Sequence, residues 1–190
     1  MKRALTLVGL LAGGWLALAP APARAGAAAE AEEALAQDDY PKAFALYTQA
    51  VSEAGKEPAA RASALFDRAE AYARYAKDGD ALADYGEALS LSPDPGFRAL
   101  VLAARGDLYT QERHYDQAIA DYSGALALKP DLVGVLTARG QAHLRMRDRD
   151  AAMADFEAEL KINPTFPKAL RGRAQMLGQP DPTYVKEHPW

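Results

Sequence analysis

The chain repeats itself every 34 residues, and that period limits its folds more than any single motif does. Val101-Leu102-Ala103-Ala104-Arg105-Gly106 returns as Val135-Leu136-Thr137-Ala138-Arg139-Gly140. Ala118-Ile119-Ala120-Asp121-Tyr122 returns as Ala152-Met153-Ala154-Asp155-Phe156, and Pro130 returns as Pro164, each pair 34 positions apart. A fixed period of this size marks stacked copies of one supersecondary unit, not a single closed core. Such arrays present surfaces to other proteins and rarely carry chemistry of their own.

Within each copy the residue types specify two helices in close contact. Small residues at Ala69, Gly106 and Gly140 let the pair approach, and Tyr72, Tyr109, Tyr85, Tyr122 and Phe156 fill the space beside them. Pro93, Pro130 and Pro164 end the second helix, because proline cannot sit inside one. Apolar residues on two faces of each pair require a neighbour on each side. Burial worth roughly 25 cal/mol per Å² must come from those contacts.

This pattern resembles the tetratricopeptide repeat, whose first helix carries W-x2-L-G-x2-Y and whose second carries A-x3-F before a closing Pro. The third unit, 99–132, matches with Leu102, Gly106, Tyr109, Ala118, Tyr122, Ala125 and Pro130. The fourth, 133–166, matches with Leu136, Gly140, Ala152, Phe156 and Pro164, and departs at His143 and Glu159. The second, 62–98, matches with Leu65, Ala69, Tyr72, Ala81, Tyr85, Ala88 and Pro93. A degenerate first unit, 26–61, keeps Ala43, Tyr47 and Ala50, 38 positions before Ala81, Tyr85 and Ala88. A capping helix over 167–178 and a disordered tail over 179–190 complete the expected layout. Gly55 to Pro58 and Asp94-Pro95-Gly96-Phe97 break the period and are expected to lengthen the links between units. The resemblance implies an all-α, right-handed superhelical solenoid of helix-turn-helix repeats.

The start of the chain reads differently. Met1-Lys2-Arg3 is a basic leader, Ala4 to Ala19 is an uncharged apolar run, and Ala23-Arg24-Ala25 supplies the small residues a signal peptidase accepts. Residues 1–25 are therefore expected to be a cleaved signal peptide. The apolar run is short of the ~20 residues that span a bilayer. Without Lys2, Arg3 and Arg24 the Lys+Arg count falls from 22 to 19 against 26 Asp+Glu, a net charge of −7. An acidic surface without a basic tract argues against nucleic acid and against an anionic membrane as partners. There is no cysteine, hence no disulfide and no lipid attachment site. The expected location is the bacterial periplasm or the exterior.

Arginine recurs at one place in four units, as Arg68, Arg105, Arg139 and Arg173. Asp84, Asp121 and Asp155 lie 16 residues after the first three, so the row is read as a set of Arg–Asp pairs within units. Arg173 has no such Asp and is the member left over. The resemblance also implies a concave groove lined by first helices. Its positions here are Phe66, Glu70 and Arg74; Ala103, Asp107 and Gln111; Thr137, Gln141 and Arg145; and Arg171 with Gln175. Phe66 and Glu70 stand where a carboxylate-clamping member would need Lys and Asn.

His114, His143 and His188 have no cysteine or i, i+4 histidine beside them, so no metal site is expected, and His143 is read as a packing substitute for Tyr. G-x-S-x-G, H-E-x-x-H and a phosphate-cradling glycine loop are absent from the sequence. The expectation is a non-enzymatic scaffold without a cofactor, binding a protein or peptide in the groove. Assembly into homo-oligomers through the chain ends is the alternative.

Overall fold

The computed structural model describes residues 26–183. The leader read as a signal peptide, 1–25, and the end of the tail, 184–190 with His188, lie outside the described residues. Every regular element among the described residues is an α-helix, and the fold is an all-α helical repeat solenoid. The order is α1 (Ala27–Ala36), α2 (Tyr40–Glu53), α3 (Pro58–Arg74), α4 (Asp78–Leu91), α5 (Pro95–Gln111), α6 (Tyr115–Leu128), α7 (Val135–Arg145), α8 (Arg149–Ile162) and α9 (Pro167–Leu177). The chain divides into two compact units between Val101 and Leu102, a point inside α5.

In the first unit α1 packs on α2, α2 on α3 and α3 on α4. Its core begins with Ala31, Ala34, Leu35, Ala43, Tyr47 and Ala71, against which Tyr40, Phe44, Leu46 and Tyr75 pack. Leu65, Ala69, Ala81, Tyr85 and Ala88 continue it between α3 and α4. In the second unit α7 packs on α6 and α8, and α9 on α8. Tyr122, Phe156, Leu108, Val135 and Leu136 are its large buried side chains.

The two irregular spacings do not lengthen links as expected. Pro58 and Pro95 open α3 and α5, so most of the extra residues join the first helices. Those helices run 17 residues each, against 11 for α7. Proline suits the first turn, where its missing N–H has no intrahelical partner. Asp94 adds a cap, accepting from the Phe97 N–H at 2.7 Å. The second helices α4, α6 and α8 each stop two residues before Pro93, Pro130 and Pro164.

The turn between the helices of each pair is the same four times. Asp38, Ala76, Arg113 and Arg147 all have φ between 55° and 65°, the left-handed region, and none is glycine. The next N–H, of Asp39, Lys77, His114 and Asp148, bonds back to the carbonyl five residues earlier. That closes the helix end in the way glycine normally does.

One departure from the repeat has a structural use. Glu159 stands where the earlier units have Ala88 and Ala125, and it is fully buried. Its Oε2 accepts from the Gly134 N–H at 3.0 Å, so α8 caps the start of α7. Burial raises its pKa, against the backbone bonds from Gly134 and Thr137.

Candidate functional site

The expected Arg–Asp pairs form, each with two contacts. Arg68 Nε and Nη2 donate to Asp84 at 2.7 and 2.9 Å. Arg105 reaches Asp121 at 2.7 and 2.8 Å, and Arg139 reaches Asp155 at 2.9 and 2.7 Å. Two of them also tie back to the preceding second helix, Arg68 to Thr48 and Arg139 to Ser123. The Asp84 and Asp121 hydrogen bonds hold the Arg68 and Arg105 guanidiniums above their ordinary pKa. These arginines belong to the fold. Arg173 is half-buried and has no ion-pair partner among the described residues.

A second series of bonds fixes part of the expected binding row. Tyr85 donates its hydroxyl to Glu70, and Tyr122 donates to Asp107 at 2.6 Å. Tyr47 donates to Glu32 at 2.5 Å. Glu32 was not among the expected site residues, yet it lies 38 positions before Glu70, the same spacing that relates Tyr47 to Tyr85. That register was the available signal. Burial, with the neighbouring carboxylate, keeps the Tyr47 and Tyr122 phenols protonated far above their ordinary value. Burial also raises the Glu70 carboxyl, while the bond from Tyr85 and the charge of Arg74 pull it down. The fourth unit has Phe156 and Gln141 at these places, so the series stops there.

The expected row therefore splits in two. Phe66, Glu70 and Asp107 are half-buried and engaged inside the fold; the Phe66 ring lies 6.0 Å from Tyr85 and 5.7 Å from Phe97. Thr137 is only 1% exposed, so it cannot meet a ligand on an open helix face. Its register points it into the contact with α8, beside the Glu159 cap. Arg74, Gln111, Gln141, Arg145, Arg171 and Gln175 are all exposed. None of those six makes a hydrogen bond or ion pair among the described residues.

The structure brings these side chains together unit by unit. In the first, Phe66, Glu70 and Arg74 follow one face of α3 at four-residue spacing. Beside them α1, α2 and α3 enclose a hollow of about 280 Å³ lined by Ala28, Ala29, Glu32, Tyr47 and Asp67. In the second, Gln111 ends α5, Gln141 and Arg145 lie one turn apart on α7, and Arg171 and Gln175 one turn apart on α9. His143 is half-buried at the end of α7, with Nδ1 3.7 Å from Asp148, and His114 is exposed at the start of α6. Among the described residues no group of three or more His, Asp or Glu could hold a metal ion. None of the described helices is long and apolar enough to cross a membrane.

Family comparisons agree with the register of these helices. The model described as TPR repeat matches residues 106–146, and the one described as Tetratricopeptide repeat matches 133–166. Together the two matches span residues 106–166, which are similar to tetratricopeptide repeats. Solved tetratricopeptide structures superpose well beyond that span. A tetratricopeptide repeat protein from Parabacteroides merdae is 22% identical with a TM-score of 0.70, over 80% of this chain and 59% of its own. Pseudomonas aeruginosa pilF is 21% identical with a TM-score of 0.68, over 83% of this chain and 68% of its own. The second tetratricopeptide domain of human RPAP3, solved in complex with an HSP70 peptide, is 23% identical with a TM-score of 0.58, over 63% of this chain and 98% of its own. At these identities the likeness shows the fold. No curated protein matches the sequence.

Proposed function

We propose that this chain is an exported, non-enzymatic protein-interaction module that holds a peptide or helical segment of a partner against the exposed faces of its first helices. One observation carries the reading. Six polar or charged side chains on those faces, Arg74, Gln111, Gln141, Arg145, Arg171 and Gln175, are exposed and make no hydrogen bond or ion pair among the described residues, while Glu70 and Asp107 are bonded internally and Thr137 is buried. Exposed, uncommitted donors at regular helical spacing suit recognition of an extended or helical segment. The peptide-bound RPAP3 domain is a precedent from the same fold. The basic, apolar and A-x-A leader over 1–25 supports export to the periplasm.

The test is a crosslinking pull-down from the periplasm with the tagged chain exported by its own leader. A variant with Arg74, Arg145 and Arg171 changed to Ala runs beside it. A partner captured by the parent and lost by the variant supports the reading. Equal capture by both places binding elsewhere, and recovery of the untagged-leader form in the cytoplasm removes the export element.

Self-assembly is the second reading. Leu128, Val133, Met146, Ile162 and Leu177 are large hydrophobic residues between 39% and 53% exposed, and all lie in the second unit. A mass that rises with concentration in light scattering would favour it.

A further inference from the structure

α9 repeats a first helix, and no second helix follows it among the described residues. It packs on α8 and touches α7, and the chain leaves it through Gly178 without entering another described helix. Three of its residues stand where the other first helices meet their own second helix. Leu170 takes the place of Leu102, which a methyl group on Gly124 of α6 would approach to 3.2 Å. Arg173 takes the place of Arg68, Arg105 and Arg139, each of which donates twice to an aspartate of the next helix. Leu177 takes the place of Tyr109 and His143, and it is 53% exposed. A terminal helix that only closes a stack needs a polar outer face, and Leu177 does not supply one.

The fold shows three times what covers such a face. α4, α6 and α8 are each 14 residues long. Each brings an aspartate directly before an aromatic residue: Asp84-Tyr85, Asp121-Tyr122 and Asp155-Phe156. Alanine stands three residues before each aspartate, as Ala81, Ala118 and Ala152. Charge points the same way. α9 carries Lys168, Arg171 and Arg173 and no acidic residue, so its electrostatic complement is acidic. A second copy would bring the same basic helix, like charge against like, and its own second helices are already engaged in its fold. The segment after α9 holds Pro180, Pro182 and Pro189, which a 14-residue helix does not tolerate in its interior.

We propose that the open face of α9 docks an acidic amphipathic helix of another protein, one that carries Asp directly before an aromatic residue. Arg173 pairs with that aspartate, and Leu170 and Leu177 meet the apolar side of the helix. This surface uses none of the six exposed groove side chains, so it stands or falls apart from groove binding.

The test is fluorescence anisotropy on the full chain. The probe is a labelled, acetylated and amidated peptide with the α6 sequence, Tyr115 to Leu128. A second peptide differs only by Asp121→Asn. The first should bind, and the second should bind about tenfold more weakly or worse, the scale of a lost, partly desolvated charge contact. Arg173→Gln in the protein should weaken the first peptide by a similar factor and leave the second little changed, because both changes remove one pair. Leu177→Asp should abolish binding of both. Arg74→Ala with Arg145→Ala should change nothing. A circular-dichroism melt on each variant separates lost binding from lost folding; should one unfold, the two peptides on the unaltered chain decide. No binding of the first peptide, equal binding of both, or indifference to Arg173→Gln overturns the proposal. Loss of binding in the Arg74 and Arg145 variant also overturns it and moves the helix into the groove. Binding that appears only once residues 184–190 are deleted hands the face to the chain's own end. Self-association that Leu177→Asp removes hands it to a second copy, and either result overturns the proposal.

Discussion

Arg105 and Asp121 meet at two points, Nε to Oδ2 at 2.7 Å and Nη2 to Oδ1 at 2.8 Å, and so lock α5 to α6. The side chains are 23% and 9% exposed, which separates this pair from a surface ion pair worth almost nothing. Removing either partner leaves the other charge partly buried. Arg105→Ala and Asp121→Ala should each destabilise the chain. The double-mutant cycle should show a coupling of at least about 1 kcal/mol in urea denaturation. Strictly additive losses would dissolve the pair and return Arg105 to the candidate binding residues.

Gly172 faces the ring of Phe156 across α8 and α9. A methyl group placed there would lie 2.6 Å from the ring, closer than van der Waals contact allows. Glycine to alanine within a helix normally gains up to ~1 kcal/mol. Overpacking costs about 1–3 kcal/mol and should win at this site. Gly172→Ala should therefore lower Tm, whereas Gly86→Ala, with open space around it, should not.

Tyr122 is a buried tyrosine whose hydroxyl has a defined acceptor, Asp107 at 2.6 Å. Tyr122→Phe keeps the packing and strips the donor from a half-buried carboxylate. A loss of roughly 1–2 kcal/mol follows from removing that bond to a half-buried carboxylate. Chemical denaturation of the Phe variant with and without Asp107→Asn checks it, since the neutral amide should recover part of the loss.

Ala76 sits at φ 55° in an exposed turn between α3 and α4. An L-residue there carries a steric cost of about 1 kcal/mol that glycine avoids. Ala76→Gly should raise stability by up to about that amount, despite the greater freedom it gives the unfolded chain. A lower Tm for the glycine variant would show that unfolded-state entropy dominates the turn.

Glu159 couples stability to pH in a direction opposite to most carboxylates. Burial raises its folded pKa above the ordinary 4.5, so the folded state holds its proton more tightly than the unfolded state. Stability from this group is therefore least at high pH. It increases as pH falls through the raised pKa, and levels off below about 4.5. As pH falls from neutral toward about 4.5 the parent should gain stability relative to Glu159→Gln, whose amide oxygen can still accept from Gly134. A difference between the two that stays constant over that window would contradict the assignment.

Legibility in the sequence followed what the repeat itself enforces. The Arg–Asp pairs were readable because a 16-residue offset occurs three times, and only a helix pair of constant geometry keeps such an offset. The Glu32 and Tyr47 bond was as readable, but only through a 38-residue register in a unit whose large first-helix residues are gone. Thr137 was misplaced on the open face because its register assumes every unit is alike. Glu159 breaks that assumption, since its carboxyl reaches the start of α7 where neighbouring units have alanine. The left-handed turns carry no glycine, so nothing local announced them.

The sequence by itself determined the helical class, the period, and which residues of each unit face their own partner helix. These follow from side-chain size and spacing, which act within a few residues or one repeat. Tertiary structure decided which members of the expected binding row remain free. That depends on whether a hydroxyl or guanidinium from another helix reaches a given carboxylate, as Tyr122 reaches Asp107 and as no described group reaches Arg145. It also decided that the two spacing irregularities extend helices, because a proline placed at a first turn joins the helix it would break anywhere further along.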